Sequence, residues 1–190
     1  PGALDPLAVL SGGPDSLPDG PVVVDDPIGG PAGVAMAEWL AAGGRSVTLV
    51  TPDPVAGTLL SLTGDLADAN ARLQQAGVTR ALRSRLRRAG QGRVRVEDAW
   101  TGEEREIGCA AVIDCGHRLA DTALYDASLS DLGPPGAPRA GDCVAPRTAA
   151  EAVLEGRRAA LDLGALDTGV LEREEPPPTA PAPKRQPAAR

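Results

Sequence analysis

Apolar residues near the start of the chain form two short unbroken runs with a helical pattern between them. Residues 22–24 are three consecutive valines, and residues 47–50 read Val-Thr-Leu-Val. Such β-branched runs are typical of strands buried on both faces, as in a parallel sheet. Residues 34–42 place apolar side chains at helical spacing and end before two glycines, which commonly follow a helix. The pattern predicts a βαβ unit with parallel strands and a right-handed crossover.

The same pattern analysis extends these elements to residue 163. Helices are predicted over residues 63–76 and 148–163, because apolar residues recur at helical spacing in both. Further strands are predicted at residues 78–86, 93–100, 105–109 and 110–115, with turns at 90–92 and 101–102. The predicted fold class is α/β, a Rossmann-like parallel sheet with an added β-hairpin or meander.

Composition narrows the class of protein. The 190 residues are 42% hydrophobic and carry a formal net charge of -7, which allows one sizeable core and disfavours nucleic acid or an anionic membrane as a partner. No apolar run approaches the roughly 18 residues of a membrane span, and no cleavable signal is visible. We expect a cytoplasmic protein. Because the first residue is Pro1, we also expect a fragment or a processed product.

The cysteines and the single histidine carry no evident chemistry. Cys109, Cys115 and Cys143 are an odd number and lack CxxC or zinc-ligand spacing, so neither a disulfide framework nor a metal site is predicted. We interpret them as reduced, mostly buried thiols. His117 has no partner in the sequence for a triad or a metal cage, and we interpret it as a loop residue.

The glycine-rich turn after the first strand is the first candidate site. A dinucleotide-binding turn has the pattern G-x-G-x-x-G, with the amides of the following helix facing the pyrophosphate. Gly30 and Gly33 fit the second and third glycines, but Ile28 stands in the first place. Asp25 and Asp26 add negative charge, which repels a pyrophosphate unless they bind a ribose hydroxyl or point away. A purely structural βα turn is the alternative.

An acidic residue supports the nucleotide interpretation of this turn. Asp53 follows the second predicted strand, about twenty residues after the glycine turn, where a carboxylate accepts hydrogen bonds from the ribose of NAD. No arginine in the immediate loop is placed to bind the 2′-phosphate of NADP. In the alternative interpretation, Asp53 only begins a turn before Pro54.

The second candidate site is the segment GDCVAPRTAAEAVLEGRRAA. It resembles the flavin-contacting segment of flavoprotein reductases with two dinucleotide domains, where a Gly-Asp pair ends a strand and the next helix points its N-terminus at the flavin. Gly141 and Asp142 occupy the pair, and Arg147, Thr148 and Ala149 open the helix. Amides and the dipole at a helix start favour electron density on a reduced flavin. Alternatively, Asp142 is a turn residue and Thr148 an N-cap.

Three stretches together resemble one family. They are the segment from VVVDD through the glycine turn to SVTLVTP, the stretch VIDCGHRLADTALYDA, and the stretch GDCVAPRTAAEAVLEGRRAA. They look like the C-terminal part of multidomain members of the old yellow enzyme superfamily. This is the family of 2,4-dienoyl-CoA reductase and trimethylamine dehydrogenase, including mycofactocin-associated oxidoreductases. The resemblance covers roughly residues 20–163.

The resemblance implies an architecture and an electron path. In this family a flavin-bearing TIM barrel and a four-iron cluster precede a glutathione-reductase-like pair of dinucleotide domains, the second inserted into the first. Residues 21–120 would form the inserted NAD(P)-binding domain, and residues 121–165 would contribute the C-terminal strand and helix of the FAD or ADP domain. Electrons would pass from NAD(P)H through FAD and the 4Fe-4S cluster to FMN. The FMN would reduce an enoyl or enone substrate, or the path would run in reverse from amine oxidation.

The predicted cofactor-binding residues come from both candidate segments. They are Asp26, Gly29, Gly30, Ala32, Gly33, Asp53, Gly116, Gly141, Asp142, Arg147, Thr148 and Ala149. No catalytic residue and no metal ligand is assigned, because no segment matches the FMN site. FAD and NAD(P)H are the expected cofactors, and FMN and the 4Fe-4S cluster are expected only upstream. The expected protein partner is the upstream TIM barrel of the same polypeptide.

The two ends of the chain are predicted to lie outside the domains. Residues 1–20, rich in Pro, Gly and Asp, are predicted to be a linker from the missing FAD half-domain. Residues 166–190 are predicted to be a disordered Pro-rich tail.

Two other functions stay open at this point. The chain could be a non-catalytic lobe that holds a nucleotide such as ADP, or that docks another domain and uses its glycine turn for packing alone. It could also be a freestanding Rossmann-like reductase that acts without flavin.

Overall fold

The computed structural model describes residues 2–133 and 136–167. The chain divides into two compact units, the first ending at Arg118 and the second beginning at Leu119. The predicted tail over residues 166–190 falls outside the described residues from position 168 onward.

Helices and strands alternate in the first unit and form two sheets. In chain order the elements are α1 (Pro6–Gly12), β1 (Val22–Asp25), α2 (Pro31–Ala42), β2 (Val47–Val50), α3 (Leu66–Gln75), β3 (Thr79–Ala81), β4 (Ser84–Gly90), β5 (Arg93–Asp98), β6 (Glu104–Gly108) and β7 (Ala111–Asp114). A parallel sheet has the order β3-β2-β1-β7, and an antiparallel sheet has the order β4-β5-β6. The predicted α/β class with an added meander is confirmed.

The strand β1 lies inside the parallel sheet and is buried on both faces. Its three valines are fully buried, as the unbroken run predicts. Because successive side chains point to opposite faces, the first and third valines share a core cluster with Leu40 of α2 and Leu73 of α3. Val23 belongs to the cluster on the other face, together with Val94 of β5. The parallel sheet is therefore covered by helices on one face and by the meander on the other.

The N-terminal segment, predicted to be a linker, is part of the folded core. Asp5 caps α1 by accepting hydrogen bonds from two following backbone N–H groups, at 2.8 and 3.1 Å. Val9 and Leu17 are only 3% and 5% exposed and belong to the core cluster beneath α2. The composition of this segment suggested a linker because it is rich in Pro, Gly and Asp. In the structure these residues form caps and turns around a few buried apolar side chains.

Leu4 extends the parallel sheet on its outer side. It forms a parallel bridge with Ile113 of β7. The N–H of Leu4 donates to the carbonyl of Val112 at 2.8 Å, and the N–H of Asp114 donates to the carbonyl of Leu4 at 3.0 Å. These two bonds satisfy backbone groups of β7 that would otherwise lie unpaired.

The stretch 78–86, predicted as one strand, contains a corner at Arg83. This residue has a left-handed φ of +50°. Its N–H donates to the carbonyl of Asp53 at 2.9 Å, and its carbonyl accepts from the N–H of Ala99 at 2.6 Å. Before the corner, β3 pairs with β2, and after it β4 pairs with β5. Contacts from distant parts of the chain therefore divide an apparently continuous strand between two sheets.

The second unit is helical in the residues that the structure describes. It contains α4 (Ala123–Leu132), a single 3-10 turn at Gly141–Cys143, and α5 (Ala149–Asp167). The helix α5 was expected and α4 was not. The prediction of a strand that ends at Gly141 is wrong, because residues 136–148 form no strand. Gly141 has a left-handed φ of +74°, and the described part of this unit contains no strand with which such a segment could pair. No described helix is long and apolar enough to cross a membrane.

All three cysteines are free. Cys109 and Cys115 are buried, and Cys143 is partly exposed. Burial raises the pKa of Cys115 to about 12, so its thiol stays protonated and unreactive at neutral pH.

Replacing Leu17 with Ala tests whether the N-terminal segment belongs to the core. We expect Leu17→Ala to lower the free energy of unfolding by about 2–4 kcal/mol, because it removes a buried side chain and leaves a cavity. Leu10→Ala removes an equal side chain that is 48% exposed and should cost less than about 1 kcal/mol. Equal urea-unfolding midpoints for the two variants would contradict the assignment.

Candidate dinucleotide sites

The predicted residues of the first unit meet at the carboxyl end of the parallel sheet. Asp26 follows β1, Asp53 follows the end of β2, and Gly116 follows β7. The glycine turn leads from β1 into α2, whose N-cap is Gly30 and whose first residue is Pro31. The carboxyl end of the strands is where open α/β sheets bind their ligands.

Asp26 turns its carboxylate into the glycine turn and away from solvent. The residue is 1% exposed, and its Oδ1 accepts a hydrogen bond from the N–H of Gly29 at 3.0 Å. Its Oδ2 is buried and has no hydrogen-bond partner among the described residues. Burial raises the pKa of Asp26, and the backbone N–H groups of the turn oppose that effect. The turn is therefore occupied by a side chain of the protein itself.

Gly33 lies in the first turn of α2, directly against Asp26. A Cβ at position 33 would stand 2.5 Å from both Cβ and Cγ of Asp26, which no real contact allows. Glycine is thus required here because Asp26 packs beneath the helix. In the dinucleotide motif, by contrast, the third glycine lets the helix approach the strand. Ala32, the preceding predicted residue, is exposed at the start of α2.

The structure brings together Gly29 and Asp53, which are both predicted cofactor-binding residues. Gly29 has a left-handed φ of +68°, and a Cβ there would collide with Oδ2 of Asp53. The carbonyl of Gly29 accepts a hydrogen bond from the N–H of Leu59 at 2.8 Å. The loop after β2 is therefore tied to the glycine turn. The role of Asp53 in binding a ribose stays a prediction.

Two further carboxyl groups, those of Asp25 and Asp114, lie beside the turn, on the face of the sheet that the meander covers. Asp25 of β1 is in register with Asp114 of β7, and Oδ1 of Asp114 accepts the N–H of Gly116 at 2.8 Å. Burial, followed by repulsion from Asp114 and Asp26, raises the pKa of Asp25 to about 7. Asp114 is not among the residues predicted from the sequence, although it is the acidic end of a buried strand that pairs with β1.

These residues do not fit a dinucleotide pyrophosphate. Such a group needs free N–H donors at the helix N-terminus and little competing negative charge. Here Asp26 engages the turn, Pro31 has no N–H to donate, and three further aspartates lie at the strand ends. No Lys or Arg occurs between residues 22 and 44 to balance this charge. In the described ranges, no group of three or more ligand-type side chains is placed to hold a metal ion.

The predicted flavin-contacting residues of the second unit surround the start of α5. Asp142, Arg147, Thr148 and Ala149 are exposed, and Gly141 is partly buried. The guanidinium of Arg147 pairs with Glu155, whose other carboxylate oxygen accepts the N–H of Gly141 at 2.9 Å. Glu155 therefore holds the turn before α5 in place and keeps the guanidinium of Arg147 beside the helix. The sequence analysis did not identify this role of Glu155.

Thr148 caps α5, as the structural alternative proposed. The N–H of Glu151 donates to Oγ1 of Thr148 at 3.4 Å, and Oε2 of Glu151 accepts the N–H of Thr148 at 3.3 Å. This reciprocal pair is a capping box, and the spacing T-x-x-E signals it in the sequence.

The carboxylate of Asp142 is available to a ligand. It is exposed, and no hydrogen bond or ion pair from the described residues engages it. A carboxylate beside a helix start suits the ribityl or ribose hydroxyl groups of a flavin nucleotide, because each hydroxyl donates one hydrogen bond. The residues at the start of α5 therefore fit part of an FAD site.

The first unit has the architecture of the dinucleotide-binding α/β class. Its parallel strands, the helical crossover after β1 and the glycine turn are Rossmann-like, and a three-stranded antiparallel sheet covers one face.

Solved structures with this architecture match almost the whole chain. Histamine dehydrogenase from Rhizobium sp. 4-9 is 27% identical, with a TM-score of 0.77 over 91% of this chain and 27% of that chain. The 6-hydroxypseudooxynicotine amine oxidase from Pseudomonas geniculata N1 is 25% identical, with a TM-score of 0.77 over 85% of this chain and 24% of that chain. A 2-naphthoyl-CoA reductase shares the fold at 20% identity, with a TM-score of 0.62 over 75% and 21%. No protein-family model and no curated protein sequence matches the chain.

These matches confirm the resemblance that the sequence motifs carry. The three proteins are members of the old yellow enzyme and trimethylamine-dehydrogenase type of family, and the match covers the C-terminal part of their chains. The chain spans about a quarter of the length of these relatives.

Replacing Asp25 with Asn should change how stability depends on pH. Asp25 keeps its proton in the folded protein up to a pH of about 7, whereas the ordinary pKa of an aspartate in the unfolded chain is 3.8. Folding therefore binds a proton between these values, and the stability of the wild-type protein falls as pH rises through this window. We expect Asp25→Asn to be more stable than wild type at pH 8 by on the order of 1–3 kcal/mol, allowing for partial solvent screening.

Urea unfolding of wild type and Asp25→Asn at pH 4, 6 and 8 measures this effect. The exposed Asp19 provides the control Asp19→Asn. A constant difference between wild type and Asp25→Asn across this range would contradict the prediction.

Gly33→Ala tests the contact with Asp26. The added methyl group would overlap the Asp26 side chain, and we expect a loss of about 1–3 kcal/mol in the free energy of unfolding. In a background that already carries Asp26→Ala, the same substitution should cost clearly less, because the group it meets is gone. A double-mutant cycle by urea unfolding measures this coupling, and additive effects would show that Gly33 is required for another reason.

Proposed function

We propose that the chain is the C-terminal dinucleotide-domain module of a flavin-dependent oxidoreductase. The observation that carries this proposal is the similarity to histamine dehydrogenase over 91% of the chain. The neighbours are flavin-dependent oxidoreductases of the trimethylamine dehydrogenase and old yellow enzyme type. Since the chain spans 27% of the histamine dehydrogenase chain, the substrate and the catalytic barrel belong to the proposal for the longer protein.

FAD would bind at the start of α5. Asp142 would accept a hydrogen bond from a ribityl or ribose hydroxyl, and the exposed N-terminal turn around Ala149 would favour electron density on the flavin. The capping box and the bond between Glu155 and the N–H of Gly141 at 2.9 Å hold this turn in place before a ligand arrives. When bound, FAD would supply the capacity to accept and pass on electrons.

The longer protein would carry the remaining redox chemistry. The module would pass reducing equivalents between FAD, a 4Fe-4S cluster and FMN in an upstream TIM barrel that reduces enoyl or enone substrates or oxidises amines. The sequence also predicts NAD(P)H as a cofactor, although the occupied glycine turn does not fit its pyrophosphate. Oxidation of an amine fits the names of the first two matched proteins, and reduction of an acyl-CoA fits the name of the third. A cytoplasmic location is part of this proposal.

A second candidate function is favoured by the geometry of Asp26. The first unit would be a lobe that docks or supports other domains and binds no nicotinamide. Its glycine turn holds a buried carboxylate with 1% exposure, and the surrounding charge is negative. In this case electrons would reach or leave the flavins without NAD(P)H binding to this unit.

Flavin binding tests the first candidate. The protein in its longest native form is stripped of flavin and titrated with FAD, and the quenching of flavin fluorescence is followed. We expect Asp142→Ala to weaken FAD binding about tenfold or more, because it removes a hydrogen bond to a charged group. Asp131→Ala is the control, since Asp131 is also exposed on the second unit and its loss changes the net charge equally. Equal affinity in the two variants would argue against the site.

Isothermal titration of the same protein with NADH separates the two candidates. Saturable heat that Asp53→Arg abolishes would support a nicotinamide-binding unit. Absence of heat, in a protein that still binds FAD, would support the docking lobe.

A further inference from the structure

We propose that Asp26 is an internal ligand that occupies the anion position of the glycine turn, so that this turn takes a pyrophosphate only after Asp26 is removed. This inference concerns the first unit alone and does not depend on flavin at α5. It assigns Asp26 as the residue that closes the Rossmann-like turn to a diphosphate group. The aspartates at the strand ends remain when Asp26 is removed, so we expect the affinity for pyrophosphate to be weak.

The Asp26 carboxylate lies at the glycine turn and the start of α2. In a dinucleotide-binding turn, the backbone N–H groups of the glycine turn and of the helix start face the pyrophosphate. Here the N–H of Gly29 donates to Oδ1 of Asp26 at 3.0 Å. The Asp26 side chain also fills the space beside Gly33 in the first turn of α2, where a Cβ would stand 2.5 Å from its carboxyl carbon. The carboxylate therefore lies between the turn and the helix start.

The turn between β1 and α2 is longer than in the dinucleotide-binding motif. In the G-x-G-x-x-G motif the first glycine follows the strand directly. The strand β1 ends at Asp25, and Ile28 holds the place of the first glycine. Asp26 and Pro27 are therefore extra residues between the strand and the motif. Because of this extra length, the side chain of Asp26 lies beneath α2, at a place where the motif has only backbone atoms.

One carboxylate oxygen of Asp26 is buried without a hydrogen-bond partner in the described part of the chain. Oδ2 of Asp26 is buried and has no hydrogen-bond partner among the described residues. A buried polar atom without a partner costs free energy and calls for an explanation. The positive end of the α2 dipole compensates part of that cost when an anion lies near it. The carboxylate and a phosphate group would compete for this compensation, because both need the same N–H groups and the same helix start.

The test is binding of inorganic pyrophosphate to four forms of the protein: wild type, Asp26→Ala, Asp26→Asn and Asp25→Ala. Asp26→Ala removes the internal ligand and frees the N–H of Gly29. Asp26→Asn keeps the volume and the acceptor oxygen but removes the charge. Asp25→Ala removes an equal carboxyl side chain one residue away, on the opposite face of the strand, and leaves the turn closed. Thermal unfolding is followed at increasing pyrophosphate concentrations and constant ionic strength.

We expect pyrophosphate to raise the melting temperature of Asp26→Ala by on the order of 2–5 °C at ten times its dissociation constant. The other three forms should show no saturable shift. A saturable shift in wild type that matches Asp26→Ala would overturn the proposal, because the turn would then be open already. A folded Asp26→Ala protein with no shift would also overturn it, since Asp26 would not be what closes the turn.

Two measurements keep the test decisive if Asp26→Ala does not fold. Asp26→Ser leaves a smaller void and should show the same shift as expected for Asp26→Ala. In wild type, the amide resonance of Gly29 should not move when pyrophosphate is added, because its N–H already donates to Asp26. Movement of that resonance with saturation would overturn the proposal. Flavin binding is measured in parallel. Loss of flavin binding would count against the proposed flavin site alone, whereas the pyrophosphate results count for or against the role of Asp26.

Discussion

The buried contact between the Asp26 carboxylate and the start of α2 determines the local structure on which the first unit depends. It requires glycine at position 33, because any larger residue would overlap the carboxyl group. It also fixes the turn through the hydrogen bond from Gly29 at 3.0 Å. The path from the central strand into the helix that covers it therefore depends on one acidic side chain, and the glycines that resemble a nucleotide motif serve that side chain.

A Rossmann-like fold is thus compatible with two uses of the same helix start. An external phosphate can satisfy the free N–H groups, or the protein can supply an anion of its own. In the second unit, Glu151 completes a capping box at α5 but leaves the nearby Asp142 exposed. The two units therefore differ in what they offer a cofactor: the first turn is occupied from within, and the second remains accessible. Fold class alone does not decide between these uses.

Much of the fold follows from the sequence because its signals are local. The unbroken runs of β1 and β2 predict buried parallel strands. The helical spacing predicts α2 and α5, and the two glycines after α2 predict where it ends. The corner at Arg83 and the packing of Leu17 depend on contacts with distant residues, which no local pattern contains. In the candidate site, the sequence named Gly29 and Asp53 as cofactor-binding residues, and the structure brings them together. The sequence could not predict that Asp26 points inward, because side-chain direction depends on where the strand ends and how the longer turn folds back.

The pairing of Leu4 with β7 has a consequence for the behaviour of the protein in solution. Without it, the outermost strand would present free N–H and C=O groups, together with the apolar residues of β7, as a template for another polypeptide. Leu4 occupies that position through two backbone hydrogen bonds, at 2.8 and 3.0 Å. Detachment of Leu4 from β7 would therefore create a surface prone to intermolecular strand addition and aggregation.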